Sequence, residues 1–386
     1  MKSWWILINN IMKESLTKKL DFIVIGAGIA GLSCAYHLTK DGYSVMVFEK
    51  SDGKDNASYA STAEMNHDPD ASWDRIISKF GIRGARYIWK LSEFSAQLLT
   101  KFAHRPGSEH FSTKRVPAHI FTYDQKGVTL LKKRFELYKK IGAQVTFTEN
   151  AKSLHKNFRS SITIKNEGAT NNQALLIALR AATHEQGGKV IYKTPVVDLK
   201  VNKQGVEVRT KKGNIFHTKH VILATGGIEL INLPIKIGRE RTFVVSYKKR
   251  NMDKLFSSSL LWDTAEPFHY IRSFVGKRLW VGGEDVAEES YTPSSDKRHI
   301  AALDKYSREV LALDSSYVLE KKKSWSGVFF PTARGLPYIG DVAGTPIKLA
   351  LGFGGTGILM SFVSGYLISS WLKKKEMKYK PLFKIW

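Results

Sequence analysis

Three glycines and one acid are spaced for holding a pyrophosphate and a ribose. Gly26, Gly28 and Gly31 stand in Gly26-Ala27-Gly28-Ile29-Ala30-Gly31, and Glu49 follows twenty-one residues after Gly28, with Lys50 beside it. Gly26 permits a tight turn, Gly28 lets the backbone approach a phosphate, and Gly31 lets a helix pack close to a sheet. A helix that starts in such a loop aims its unpaired N–H groups and positive dipole end at the anion. Glu49 can then accept hydrogen bonds from an adenosine ribose. The G-x-G-x-x-G spacing alone is a weak signal; the elements around it supply the weight. Phe22-Ile23-Val24-Ile25 reads as a strand running into the loop, a helical segment follows, and Val45-Met46-Val47-Phe48 reads as a second strand ending at Glu49.

A second group of candidates lies in His269-Tyr270-Ile271-Arg272. Side chains alternate along a strand, so Tyr270 and Arg272 share one face and His269 and Ile271 the other. A phenol beside a guanidinium suits the holding of an anion, and these two are the candidate catalytic residues. Other chemistry-bearing residues have plainer readings. His269 reads as structural, Met65 as filler, Cys34 as a buried inert thiol and His37 as an exposed helix residue. Glu284 and Asp285, after Gly282-Gly283, read as a turn cap. His67-Asp68-Pro69-Asp70 has a metal-like look, yet its spacing fits a turn with an Asp cap, and no metal is expected.

The rest of the chain supplies the supporting elements. Residues 71–104 carry helical periodicity, and a helical stretch at 126–142 stands among short β-like runs between 111 and 163. A helix closed by Gly187-Gly188 leads to strands around 190–192, 195–199 and 206–209. His220 to Gly227 reads as a buried strand entering a Gly turn, and 241–284 reads as further strands. Near the end, a strand at 336–341 precedes a Gly-rich loop, Gly352-Phe353-Gly354-Gly355-Thr356-Gly357, and a long apolar helix. Nucleotide-domain pieces are thus expected at 19–105, 164–235 and 320–375. Strand-rich pieces at 106–163 and 236–319 form an inserted substrate domain, flanked by tails at 1–18 and 376–386.

The totals set bounds. The chain has 386 residues, enough for one large domain or two interleaved ones. Its single cysteine rules out an internal disulfide and a cysteine-based metal cluster, and suits a reducing, cytoplasmic setting. No run of 18 or more apolar residues occurs, so no helix is expected to span a membrane. The first twelve residues make a poor secretory signal, and Met12 is the expected start. The net charge of +25 is unusual. Its lysines are scattered in twos and threes with no nucleic-acid motif beside them, so it reads as a Lys-rich solvated surface with no specific nucleic-acid partner. The basic and aromatic end from Trp371 to Trp386 could make weak peripheral contact with the inner face of a membrane.

Together the N-terminal fingerprint, the Ala224-Thr225-Gly226-Gly227 strand end and the C-terminal GFGGTG helix resemble the FAD-dependent D-amino-acid oxidase, glycine oxidase and sarcosine oxidase family. The likeness runs from Asp21 to about Lys373 and includes Trp325 to Gly340, similar to the family's W-x-G-x-x-P-x-x-x-G-x-P-x-I-G run. It implies an α/β fold: a discontinuous Rossmann-like FAD-binding domain with an inserted, mainly antiparallel β-sheet domain for substrate. It also implies FAD bound without covalent linkage, since the C-terminal region holds no cysteine. The implied cofactor contacts are Gly26, Gly28, Ile29, Ala30, Gly31, Glu49 and Lys50, then Ser61 and Thr62 near the pyrophosphate and Val197 in a backbone contact to adenine. Thr225 and Gly226 would lie close to the cofactor, and Gly352, Gly354, Gly355, Thr356 and Gly357 at the flavin's pyrimidine edge.

One departure bears on the substrate. Amino-acid-oxidising relatives carry an Arg just before the Pro of the W-x-G run, where it clamps a carboxylate. Here that position is Phe330, and Arg334 stands where an acid is usual before the next Gly. Arg272 is the expected substitute. The implied activity is oxidation of a C–N bond of an amine, imino or amino-acid-like substrate by hydride transfer to flavin N5, with O2 or a carrier as electron acceptor. Oxidation of a 2-hydroxy acid or polyol phosphate, which a basic surface would favour, is the first alternative. A flavin-bearing RNA- or membrane-binding protein with little catalysis is the second.

Overall fold

The computed structural model describes residues 20–105, 111–228, 230–274 and 278–384. The expected N-terminal tail and the Met12 start lie outside the described residues, as do the last two positions of the basic tail.

Leu20–Ile25 lies inside an eight-stranded mixed sheet, parallel to Val45–Phe48 on one side and to Ile215–Gly226 on the other. Ile347–Leu351 extends the sheet in parallel, and Tyr338–Asp341 closes that edge antiparallel. Lys189–Ile191 pairs at the far side, and Val196–Asn202 and Gly205–Thr210 form an antiparallel ribbon on Ile215–Gly226. The strands at the centre are apolar throughout because both faces are covered. Phe22, Val24, Val45 and Val47 face the helices, while Ile23, Ile25, Met46 and Phe48 face Val208 and Phe216.

The helices that cover this sheet start and stop where their side chains dictate. In Asn172–Glu185 the Asn171 side chain accepts from the N–H groups of Gln173 and Ala174. Asp124 caps Gln125–Ile141 in the same way, and Gly142 ends that helix in the left-handed region at φ 82°. The expected helix over 71–104 is Trp73–Ala103, broken at Gly81, whose φ of 68° is non-helical. The last helix, Gly357–Leu372, packs across the fingerprint helix, Ile29–Lys40. Gly365 there lies so close to the backbone of Ser33 and Cys34 that a Cβ would overlap it. His37, expected to be exposed, is instead packed against Phe362 and Tyr366 of the last helix, and burial pushes its imidazole down to about 3.

The second sheet has nine strands, nearly all antiparallel; Thr113–Thr122 beside Leu260–Asp263 is a parallel pair. Two of its strands reach beyond 106–163 and 236–319. Ser160–Thr170 runs unbroken through the expected boundary at 163/164, and Trp325–Phe329 pairs with Glu240–Lys248. A helix absent from the sequence reading, Asp296–Glu309, packs on this sheet through Leu303 and Tyr306. Its mostly polar composition hid it among strand-like runs.

Candidate active site

A cavity of about 1400 Å³ runs between the carboxyl ends of the first sheet and the second sheet. Its floor at the fingerprint end is shaped by backbone. Gly26 has φ +108°, and a Cβ there would overlap the Ala224 carbonyl oxygen. Only glycine meets both demands. Gly28, Ile29 and Ala30 also line the cavity, and the Ile29 N–H donates to Ser58 Oγ at 3.0 Å. Gly31 is not on the wall. It sits behind it, where a Cβ would overlap the Gly26 carbonyl, which is the close helix-to-strand packing its position requires.

Glu49 and Lys50 line the same end. The Glu49 carboxylate is buried and already engaged: Oε2 accepts from the Ala27 N–H at 2.9 Å, and Oε1 from the Ser51 N–H and hydroxyl at 3.0 Å. It thereby ties the second strand to the glycine loop. Ser61, Thr62, Thr225 and Gly226 continue the wall. Gly354, Gly355, Thr356 and Gly357 close the far side, whereas Gly352 stands behind them and donates its N–H to the Gly226 carbonyl at 2.8 Å.

Four of the expected residues lie off the cavity wall: Gly31 and Gly352 stand behind it, and Val197 and Arg272 are placed elsewhere. Val197 is exposed and does not line the cavity; Thr194, Pro195 and Val196 do. The register between Val196 and Asp198 shifts by a bulge, which turns Val197 outward. Arg272 is buried and likewise lies off the wall. Its Nη1 donates to the carbonyl oxygens of Thr62 and Thr170, its Nε to that of Ser273, and its guanidinium stacks 5.5 Å from the Trp280 ring. Tyr270 and Arg272 do share a strand face, but the segment through Thr62 and Glu64 crosses between Arg272 and the cavity. Tyr270 alone faces inward, its hydroxyl 2.9 Å from Thr242 Oγ1. Burial, with Asp285 and Glu64 nearby, raises its phenol above the ordinary range.

Phe330 lines the cavity with its ring against the backbone of Gly226 and Gly227. Arg334 is buried elsewhere and donates to the carbonyls of Leu382 and Lys384, tying down the C-terminal stretch. His269 is structural, as expected: Nδ1 lies 2.8 Å from Asp263 Oδ2, and its ring stacks on Tyr306.

The His67-Asp68-Pro69-Asp70 run holds three separate contacts. His67 Nδ1 lies 2.9 Å from Glu167 Oε1 inside the core. Asp68 accepts from Trp73, Arg134 and Tyr138. Asp70 reaches the cavity, where its Oδ1 accepts from the Gly355 N–H at 2.7 Å, just before the last helix. No cluster able to hold a metal ion occurs among the described residues.

Glu64 and Glu240 are site residues that the sequence reading did not single out, and Asp285 was assigned to a turn. All three line the cavity with Asp70. Asp285 lies in the strand Arg278–Ala287 rather than in a turn. Burial pushes Glu64 and Asp70 up to about 7 and Asp285 up to about 6. Glu240 and Asp285 add to the shift at Asp70, while the Gly355 N–H opposes it. No local motif marks these four, because they come from three separate stretches of chain.

Glycine loops from distant parts of one chain, gathered at the strand ends of a mixed sheet beside a second sheet, form the architecture of a dinucleotide-dependent oxidoreductase. The chain belongs to the DAO family of FAD-dependent oxidoreductases, whose family model matches residues 21–371. It is 22% identical to glycine oxidase of Geobacillus kaustophilus over 377 aligned positions, a match that spans 94% of this chain and 96% of the relative. It is 23% identical to D-amino acid dehydrogenase of Helicobacter pylori, across 91% of this chain and 94% of the relative. The crystal structure of glycine oxidase from Geobacillus kaustophilus superposes with a TM-score of 0.81 at 19% identity, over 96% of this chain and 99% of that one. That superposition shows the fold. The protein is therefore an FAD-dependent oxidoreductase, and its cavity fits the cofactor: Gly26 could carry no side chain, and a Cβ on Gly354 would overlap Asp70. No described helix is long and apolar enough to cross a membrane.

Proposed function

We propose that the protein oxidises the C–N bond of an amine, imino or amino-acid-like compound. The observation that carries this reading is a single cavity that runs from the Gly26–Ala30 loop to Tyr270, Phe330 and the Gly354–Gly357 loop. The relatives' names, glycine oxidase and D-amino acid dehydrogenase, point to the same bond type.

In this reading Gly26, Gly28, Ile29, Ala30, Glu49, Lys50, Ser61, Thr62, Thr225 and Gly226 hold the cofactor, and the Gly354–Gly357 loop meets its ring end. Bound there, FAD would supply a two-electron acceptor, and hydride transfer to its N5 would be the chemistry the cavity serves. The substrate C–H bond breaks, a C=N bond forms, and the nitrogen's proton passes to a neighbouring acceptor or water. Tyr270 orients the substrate from one side, and Phe330 presents an apolar face that keeps water from the reacting carbon. Arg272 acts as a positioning residue, bracing the Thr62 end of the wall through its carbonyl contacts. The electron acceptor in this reading would be O2 or a carrier.

The test is anaerobic addition of amines, amino acids and 2-hydroxy acids to the yellow holoenzyme. Bleaching by nitrogen compounds supports the reading. Bleaching by 2-hydroxy acids or polyol phosphates alone selects the alternative, to which Lys236 and Arg239 at the cavity wall lend their charge.

A further inference from the structure

Asp70 comes to the Gly354–Gly357 loop from the other end of the chain and lies flat against it. Its Oδ1 accepts from the Gly355 N–H at 2.7 Å, and a Cβ on Gly354 would overlap Cγ and both oxygens of the carboxylate. The helix that starts there, Gly357–Leu372, has no acidic residue in its first turn, and Thr356 at its cap makes no side-chain bond. A helix N-terminus carries unpaired N–H groups and about half a positive charge. Here that end is met by a carboxylate drawn from 285 positions away.

The charged groups that share the cavity leave Asp70 negative. Glu240 and Asp285 act on it by repulsion, and Glu64 lines the same cavity. Among the cations, Arg75 donates to the Ala333 carbonyl, Arg241 forms a two-pronged pair with Glu288, and Arg239 lies 3.5 Å from the same Glu288. Lys236 also stands on the wall.

Resting on the reading that this loop meets the ring end of FAD, we propose that Asp70 sets the charge there: ionised, it opposes reduction of the bound cofactor, and it takes up one proton from water as reduction proceeds. Reduction brings negative charge to the ring end. Open helix donors would stabilise that charge, whereas a carboxylate already seated on them repels it. Protonation removes the repulsion without breaking the contact, because the acid still accepts through its carbonyl oxygen and gains an O–H to donate. Burial lifts the Asp70 carboxyl to about 7 in the FAD-free fold, which brings this exchange within reach of neutral pH.

The test is the midpoint potential of the FAD-loaded protein, measured by reductive titration against indicator dyes, which needs no substrate. Asp70→Asn keeps an acceptor for the Gly355 N–H and loses the charge. At pH 8.5 it is expected to favour the reduced cofactor at least tenfold over wild type, an upward shift of about 30 mV for a two-electron couple. At pH 5.5, where Asp70 is itself neutral, the two should coincide. Glu64, Glu240 and Asp285 titrate in both proteins, so the difference isolates Asp70. An equal shift at both pH values, no shift at either, or a downward shift overturns the proposal. Should Asp70→Asn lose its FAD, Asp70→Ser is measured in its place; loss of FAD from both overturns it too, since Asp70 would then be a prop for the loop. Bleaching by nitrogen compounds with no difference between the potentials leaves C–N oxidation standing and removes the charge effect alone. Protein that binds no FAD removes both.

Discussion

The ring of Tyr270 lies across the bare backbone of Gly282, its partner on the neighbouring antiparallel strand. A Cβ on Gly282 would overlap the ring at Cζ, Cε2 and the hydroxyl oxygen. The glycine is what lets this aromatic lie flat against the sheet, with its hydroxyl on Thr242. Gly282→Ala is expected to push the ring into the cavity and cut kcat/KM at least tenfold. Overpacking of this kind costs about 1–3 kcal/mol, so the variant should fold and keep its FAD. Flavin content and steady-state kinetics check both halves; unaltered kinetics would show that the ring's place does not matter.

Gly26→Ala tests the turn beneath the cofactor. The change places a side chain at φ +108° and against the Ala224 carbonyl, neither of which can yield cheaply. Colourless protein with a lowered Tm is the expected product. Yellow protein at full occupancy would contradict the close backbone approach assigned to this loop.

Glu49→Gln keeps the shape and removes the charge. Hydrogen bonds to a charged group are each worth about 1.5–3 kcal/mol, so FAD affinity should fall on the order of 10- to 100-fold. Fluorescence titration of the apoprotein with FAD measures it.

The cavity acids predict a direction for the pH dependence of the FAD-free protein. The carboxyls of Glu64, Asp70 and Asp285 are raised to between about 6 and 7 when folded, against about 4 in an unfolded chain. Between those values the folded state holds protons that the unfolded state has released. Stability should therefore fall as pH rises from about 4 to about 7. Asp70→Asn should flatten that slope in part, as read by urea unfolding at a series of pH values. A slope as steep as wild type would exclude Asp70 as a source.

Cys34 is fully buried in the fingerprint helix, and burial pushes its thiol up to about 12. Iodoacetamide at pH 8 should leave it unmodified in the native protein and label it fully in denaturant. Mass spectrometry reads the difference.

What the sequence disclosed follows from locality. Gly26, Gly28, Gly31 and Glu49 lie within one short βαβ stretch, so their spacing carries local geometry: the turn at Gly26 and the close helix packing at Gly31 are both present. The order of strands and helices was equally plain wherever the apolar pattern was strong, periodic in Trp73–Ala103 and continuous in Gly357–Leu372. Arg272 went astray for a different reason. Strand alternation gave its face correctly, but which segment crosses that face depends on residues more than two hundred positions away. Val197 was displaced by a bulge, a one-residue irregularity that no run of Val and Asp announces. The acids of the cavity were hidden in another way again. Asp70 and Asp285 each have an ordinary local reading, and only the closure of the two sheets makes them neighbours.

The packing of Gly365 onto Ser33 has a bearing on how the protein matures. Ser33 emerges from the ribosome early, and Gly365 only after more than three hundred further residues have been added. Until the last helix docks, the Gly354–Gly357 side of the cavity has no wall. Closure of that wall therefore depends on a contact between residues far apart in the chain, a pairing of high sequence separation that is slow to form.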